Sequence, residues 1–424
     1  MCASVLKLFF SVLLIVLCSG QSNVPAVPIS SPQLPPLDLY MEPLTERIGN
    51  FSVELLHYTS KLQNHTQNFI MSPITVWSVL AVIAEGASSL TLAQIHKAIR
   101  LSLKNRENTR NQFRNVAQHL LVNTKTVELA KINAIFVNID NLPLSDYRHI
   151  AKTYYDTDVV PLNFADAENS ANSINRAISN VTHGRIKNLV DGSIFRSAPM
   201  VLTSALYFRG QWTVPFNATY TTRMPFYNSH GQRIGEVNMM YSRHTYPFAN
   251  IQELKARVME IPYGIENRLS MLIMLPHPGV SIEDMFYNFY TVTLDRVFYE
   301  LKVAKEEYGD DEVDCLLPRF KIESNLDLSA ILKNKFHIVD LFDENRARLP
   351  NMARTPLYVS KIIHKAEIEV TEEGTTASGV TLAEFSNRIG TIRFEANHPF
   401  TYVIVEKTTN TVVFGGFYQQ PSLY

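Results

Sequence analysis

The residues from Glu372 to Phe400 are the part of the chain best suited to chemistry. Two carboxylates and a glycine, Glu372-Glu373-Gly374, open a run of small side chains, Thr375-Thr376-Ala377-Ser378-Gly379. An arm from Leu382 to Arg393 follows, and then Phe394-Glu395-Ala396-Asn397-His398-Pro399-Phe400 leads into a buried-strand pattern. A proline-free run of small residues suits a segment that slides between existing strands. Large side chains would clash there, and proline would remove a ladder donor. Catalytic patterns do not assemble. His364 has no Gly-x-Ser-x-Gly nucleophile to serve, and neither histidines at ligand spacing nor a phosphate loop occur. Arg106, Arg110 and Arg114 recur every four residues along one helical stripe, with Lys97, Arg100 and Lys104 just upstream. A solvated basic face is the plainer reading of that stripe.

These residues must be positioned by a large core. The chain has 424 residues, 46% of them hydrophobic, and a net charge of −1, which gives no global case for nucleic-acid binding. Residues 1–20 have the pattern of a secretory signal, with Lys7 before a short apolar run from Leu8 to Leu17 and small residues at Cys18-Ser19-Gly20. Residues 21–42 are proline-rich and polar, as in a flexible tail. No later segment is apolar enough to span a membrane, so a secreted, extracellular monomer is expected. Asn50, Asn64, Asn180 and Asn217 head Asn-x-Ser/Thr triplets, which agree with export. Cys2 and Cys18 leave with the signal, so Cys315 is the one mature cysteine and an internal disulfide is impossible. A buried, inert thiol is the first reading of Cys315, and an exposed thiol able to pair between chains the second.

The apolar spacing predicts helices over Leu44–Leu62, Ile74–Ala84, Leu92–Leu101 and Asn111–Leu121. It predicts strands over Glu128–Val137, Met200–Phe208, Arg257–Pro262 and Leu269–Leu275, and a hairpin of Thr401–Val405 with Thr411–Phe417 around Thr409-Asn410. The acidic run Glu306 to Asp314 reads as a solvated loop. Helices and strands mix without regular alternation, which favours α+β over a doubly wound sheet.

Several segments, in order, resemble the serpin family. Asn68-Phe69-Ile70-Met71-Ser72-Pro73-Ile74-Thr75 is similar to the family's strand-to-helix segment under the central sheet, with Ser72 and Thr75 at its shutter hydroxyls. Asn175 in Ser173-Ile174-Asn175 and His364 in Ile362-Ile363-His364-Lys365-Ala366 match the shutter's amide and imidazole. Thr182-His183-Gly184-Arg185-Ile186 is close to the Thr-x-Gly-x-Ile turn, and Tyr207-Phe208-Arg209-Gly210-Gln211-Trp212 to the strand ending in the breach tryptophan. Leu317-Pro318-Arg319-Phe320 resembles the strand that supplies a base to the hinge glutamate, and Val413-Phe414-Gly415-Gly416 the last strand. The likeness spans roughly residues 43–420.

The resemblance implies one serpin domain over 43–424, with three β-sheets, about eight or nine helices and an exposed reactive-centre loop at about 372–398. In the family the hinge glutamate lies seventeen residues upstream of the scissile bond, counted inclusively. Counting from Glu372 reaches Arg388. The proline of the Asn-x-Pro-Phe segment lies eleven residues after the same position, and counting back from Pro399 also reaches Arg388. The implied reactive bond is Arg388–Ile389. An arginine there selects trypsin-like serine proteases, because its guanidinium pairs bidentately with an acidic pocket. The protease's serine would form an acyl-enzyme, and the hinge, Glu372 to Gly379, would carry the loop into the central sheet. This chain supplies no catalytic residue or cofactor. If Thr375 points inward, so do Ala377, Gly379, Thr381, Ala383, Phe385 and Asn387, of which Thr375 to Ala383 are small, while Thr376, Ser378, Val380, Leu382 and Glu384 face out. Glu372 opposite Arg319 is the expected breach pair, covered by Trp212. Arg106, Arg110 and Arg114 lie where some serpins bind heparin-like polyanions. A non-inhibitory serpin acting as a carrier, storage or binding protein is the alternative. Inhibition of a cysteine protease at the same bond is a third.

Overall fold

The computed structural model describes residues 43–63, 67–102, 105–195, 198–289, 291–309, 311–375 and 392–424. Nine α-helices occur among them: α1 (Leu44–Leu62), α2 (Pro73–Gly86), α3 (Ser89–Ile99), α4 (Arg106–His119), α5 (Ser145–Tyr155), α6 (Ala167–Val181), α7 (Ile282–Asn288), α8 (Leu294–Tyr308) and α9 (Ser329–Asn334). Strands pair into three sheets, and the class is α+β. Helix α2 begins with Pro73 at its first position, where the missing N–H is no loss, and every one of its residues is buried. It is the central helix of the molecule. Amphipathic α1 presents Ile48, Phe51, Leu55 and Leu56 to the same core.

A six-stranded antiparallel sheet runs β1 (Phe69–Met71), β17 (Thr411–Tyr418), β16 (Phe400–Glu406), β10 (Leu269–Pro276), β9 (Ala256–Tyr263), β8 (Phe248–Ile251). Strands β10, β16 and β17 are buried along their whole lengths, which explains their unbroken apolar sequences. A four-stranded sheet runs β15 (Ile392–Glu395), β11 (Val313–Pro318), β7 (Arg233–His244), β6 (Thr222–Tyr227).

The third sheet carries the site. Its order is β12 (Phe320–Asp327), β13 (Lys361–Val370), β5 (Met200–Gln211), β3 (Val127–Asn138), β2 (Val122–Asn123). In addition, β4 (Asp158–Leu162) pairs with β3, and the two-residue β14 (Gly374–Thr375) pairs with β5. Alternate side chains of β5 serve two cores. Leu202 and Leu206 join the main core with α1 and α2. Val201 and Ala205 join a second core with Ile174 and Ile178 of α6, which lies on the sheet's other face.

The acidic run differs from its expectation. Its first part continues α8, and Asp314 lies in β11, held by Arg243 at 2.6 Å and by the Tyr241 hydroxyl at 2.7 Å. A carboxylate that reads as solvated is fixed by a base on the neighbouring strand.

Candidate functional site

The site is the seam between β5 and β13. These strands are parallel, and their pairing runs from Lys361↔Val201 to Ala366↔Leu206. Above it the ladder stops. The next pairing on that edge of β5 belongs to β14, which is antiparallel: Thr375↔Gly210 and Gly374↔Gln211. Tyr207, Phe208 and Arg209 of β5 therefore face Glu367–Val370 of β13 with no ladder between them among the described residues. A sheet interior with a missing stretch of pairing is a place prepared for another strand, because buried N–H and C=O groups need partners.

The expected hinge, from Glu372, enters the seam through a tight turn. Thr371 N donates to Gly374 O at 2.8 Å, and Trp212 N donates to Glu373 O at 3.0 Å. Gly374 has φ +136°, and a Cβ on it would lie 2.2 Å from Gly210 O, so only glycine fits. Trp212 stacks on Tyr263 at 4.4 Å and donates its ring N–H to Thr371 O at 2.9 Å. Arg319 Nη1 lies 3.4 Å from Glu372 Oε1, and Thr221 donates to the same oxygen at 2.7 Å. Glu372, Arg319 and Trp212 thus meet at the top of the seam. Glu372 is buried, so its charge is balanced rather than solvated.

Midway down the seam, His364 is fully buried. Its Nε2 accepts the Ser72 N–H at 2.9 Å, so the ring proton sits on Nδ1, which donates to Ser204 Oγ at 2.7 Å. The bond accepted by Nε2 requires a neutral imidazole. Protonation would set an Nε2–H against the Ser72 N–H, and burial pushes the ring's pKa down to about 3. Thr75 Oγ1 donates to Ser72 O at 2.9 Å. Ser72, Thr75 and His364 come together. Asn175 does not join them. Its side chain accepts from Leu189 N at 2.8 Å and donates to Val190 O at 2.7 Å, pinning the segment that follows α6. Ser204, across the seam on β5, takes the expected place of the amide. The signal was present in Ser204, a hydroxyl in the apolar part of β5, which needs a partner when buried.

The basic stripe is only in part a solvated face. Arg110 makes two bonds to Glu85, at 2.9 and 2.7 Å, and Arg106 stands 4.0 Å from the same carboxylate. Glu85 is the one charged residue of α2, it is buried, and Tyr155 donates to it as well at 2.9 Å. Arg110 is bound inward by that charge, and only Arg114 of the three is fully exposed.

Arg388 and Ile389 of the expected reactive bond, and Thr376, Ala377, Ser378 and Gly379 of the expected hinge, lie outside the described residues, as do Asn64 and the expected signal and tail, residues 1–42. Thr375 is described as a strand residue only. Among the triplet asparagines, Asn50 is half-buried in α1, Asn180 is exposed at the end of α6, and Asn217 caps a short helical turn through Thr219 N at 3.0 Å. Cys315 is fully buried, and burial pushes its thiol pKa up, which makes it inert. Among the described residues no group of acidic, histidine or cysteine side chains could hold a metal, and no helix is long and apolar enough to cross a membrane.

Three comparisons agree with this fold. The family described as serpin (serine protease inhibitor) matches residues 46–421. The chain is 33% identical to Serpin B9 of Homo sapiens over 391 residues, covering 90% of this chain and 100% of that one. It is 32% identical to Leukocyte elastase inhibitor A of Mus musculus, covering 89% and 99%. Among solved structures, Serpin48 of the insect Tenebrio molitor superposes with a TM-score of 0.73 at 25% identity, covering 89% and 98%.

Proposed function

The chain belongs to the serpin family of serine protease inhibitors, and from that premise we propose that it is an extracellular suicide-substrate inhibitor of a trypsin-like protease, cleaved at Arg388–Ile389. It binds proteases rather than acting as one. The observation that carries the mechanism is β14, two hinge residues already paired at the top of a seam that has no further pairs before Leu206 among the described residues. Continuing that register sets residue 376 opposite Arg209 and residue 385 opposite Met200. The small residues Ala377, Gly379, Thr381 and Ala383 then share the core-facing side of the sheet with Phe208, Leu206, Ser204 and Leu202. Twelve residues of strand at about 3.3 Å each carry a tethered protease on the order of 40 Å.

In the first step the protease's serine attacks the Arg388 carbonyl and expels the Ile389 amine, leaving an acyl-enzyme. The freed hinge then enters the seam. Loop insertion is an established property of the serpin family, a case of strand addition that releases stored strain. Dragged to the far end of the sheet, the protease loses its oxyanion-hole geometry and deacylation stalls. Support for a trypsin-like target is the arginine at the position on which both counts converge, and support for secretion is the pattern of residues 1–20.

Incubation with trypsin tests the reading. The expected product is a covalent complex that survives SDS, with mass spectrometry of the released peptide placing the new amino terminus at Ile389. A cleaved chain with fully active trypsin would instead favour the carrier or storage reading, and a complex with a papain-like enzyme alone would move the target class. N-terminal sequencing of protein recovered from the culture medium, expected to begin near Gln21, tests export.

A further inference from the structure

Insertion requires β13 to part from β5, and a contact outside the hinge and the His364 cluster spans that opening. The turn after α6, Thr182-His183-Gly184-Arg185-Ile186, lies over the outer face of the sheet. It bends sharply, with φ +51° at His183 and +78° at Gly184, and Thr182 Oγ1 anchors it by accepting from Ile186 N at 3.1 Å. Two side chains leave it in opposite directions. His183 Nε2 is 2.8 Å from Glu128 Oε1 on β3, and Arg185 Nη1 is 3.3 Å from Glu369 Oε2 on β13. Glu128 sits beside Arg209 of β5, to which it is paired in register and which lies 3.9 Å away. One foot of the turn therefore stands on the β3–β5 side of the seam and the other on the β13 side. Glu369 lies within the stretch of β13 that has no ladder partner on β5.

We propose that the 182–186 turn is a strap that holds the unpaired mouth of the sheet closed, with Arg185–Glu369 as the contact that must release before the seam widens. This rests on the inhibitory reading, and it adds a rate-setting residue pair to it. The bond is exposed and small, so it trims the opening rate rather than the fold. Glu369 has a second partner, the Tyr424 hydroxyl. Tyr424 is held through its main-chain oxygen by Arg319 Nε at 2.7 Å and Asn238 Nδ2 at 2.8 Å. Those anchors precede β12 and lie in β7, away from β5, so the tyrosine contact does not cross the seam.

Opening is read without any protease, from the rate at which the intact protein converts to its loop-inserted or polymeric form at a fixed, mildly elevated temperature. Tryptophan fluorescence, from Trp77 and Trp212, and native gels follow it. Arg185→Gln and Glu369→Gln should each speed conversion about two- to three-fold, as suits one exposed ion pair. The double variant should be no faster than either single one, and Tyr424→Phe should match wild type. Raising salt from about 0.05 to about 0.5 M should speed wild type but not Arg185→Gln. Single variants at the wild-type rate, additive effects in the double variant, or equal acceleration by Tyr424→Phe would overturn the strap. Because no protease is present, these outcomes are independent of whether trypsin forms the covalent complex, which decides the inhibitory reading by itself.

Discussion

Acidification should loosen this protein through His364, and the size of the effect follows from its two bonds. The imidazole accepts from Ser72 N and donates to Ser204 Oγ, an arrangement open only to the neutral ring. Burial brings its pKa from 6.5 to about 3. As pH falls through 6.5 the unfolded chain takes up a proton that the folded chain refuses, so stability is full above about pH 7.5 and declines toward pH 3. At pH 5 the lag is about 1.5 pH units, or ~2 kcal/mol at 1.36 kcal/mol per unit. His96, also buried and lowered to about 4, adds a similar slope, so a variant must isolate His364. His364→Gln does so. Its carbonyl can accept from Ser72 and its amide can donate to Ser204, but it cannot titrate. Packing loss should cost the variant about 1 kcal/mol at pH 7.5. Urea midpoints at several pH values between 7.5 and 5.0 provide the assay. Wild type should lose about 2 kcal/mol more than the variant across that range. Parallel pH curves for the two proteins would refute the assignment of a neutral, Nδ1-protonated His364.

Two further substitutions follow from the same geometry. Arg110→Gln leaves buried Glu85 with Arg106 at 4.0 Å and Tyr155 as its remaining partners, and should lower native stability by about 2 kcal/mol in urea melts. A selective loss of heparin retention with unchanged stability would contradict the inward role of Arg110. Gly374→Ala places a methyl against Gly210 O and should dislodge β14, read as faster hydrogen exchange at Trp212, whose N–H donates to Glu373 O at 3.0 Å; unchanged protection there would show that the turn tolerates a side chain.

The elements that the sequence revealed are those whose partners leave a local trace. Leu44–Leu62 is bounded as its apolar spacing predicts, and β9, β10, β16 and β17 follow their alternating or continuous apolar runs to within a residue or two. The breach pair was legible because Glu372 and Arg319 each sit in a recognisable segment. What stayed hidden depended on contacts between residues far apart in the chain. Nothing near Arg110 in sequence announces Glu85, 25 positions away, and a four-residue repeat cannot distinguish a solvated stripe from one whose middle member is drawn inward. Asn175 and Ser204 are indistinguishable for the same reason. Either could satisfy a buried histidine, and only the register His364↔Ser204 decides between them. The strap was hidden because Arg185 and Glu369 are separated by 184 positions and both look like surface charges.

The direction of the proposed conformational change also follows from strand polarity. Strands β5 and β13 are parallel, and β14 is antiparallel to β5, so a strand continuing β14 downward would be antiparallel to both neighbours. Insertion would exchange a six-pair parallel ladder, slanted and slightly weaker per residue, for two antiparallel ladders. It would also supply partners to Tyr207–Arg209 and Glu367–Val370, which have no ladder between them along this edge among the described residues. Against that gain stand the covalent tether of an uncut loop, the His364–Ser204 bond across the seam, and the Arg185–Glu369 strap above it. Only the first of these is removed by a protease. The other two are bonds of ordinary strength that thermal motion breaks, so cleavage converts a seam that opens rarely and recloses into one that a strand can fill.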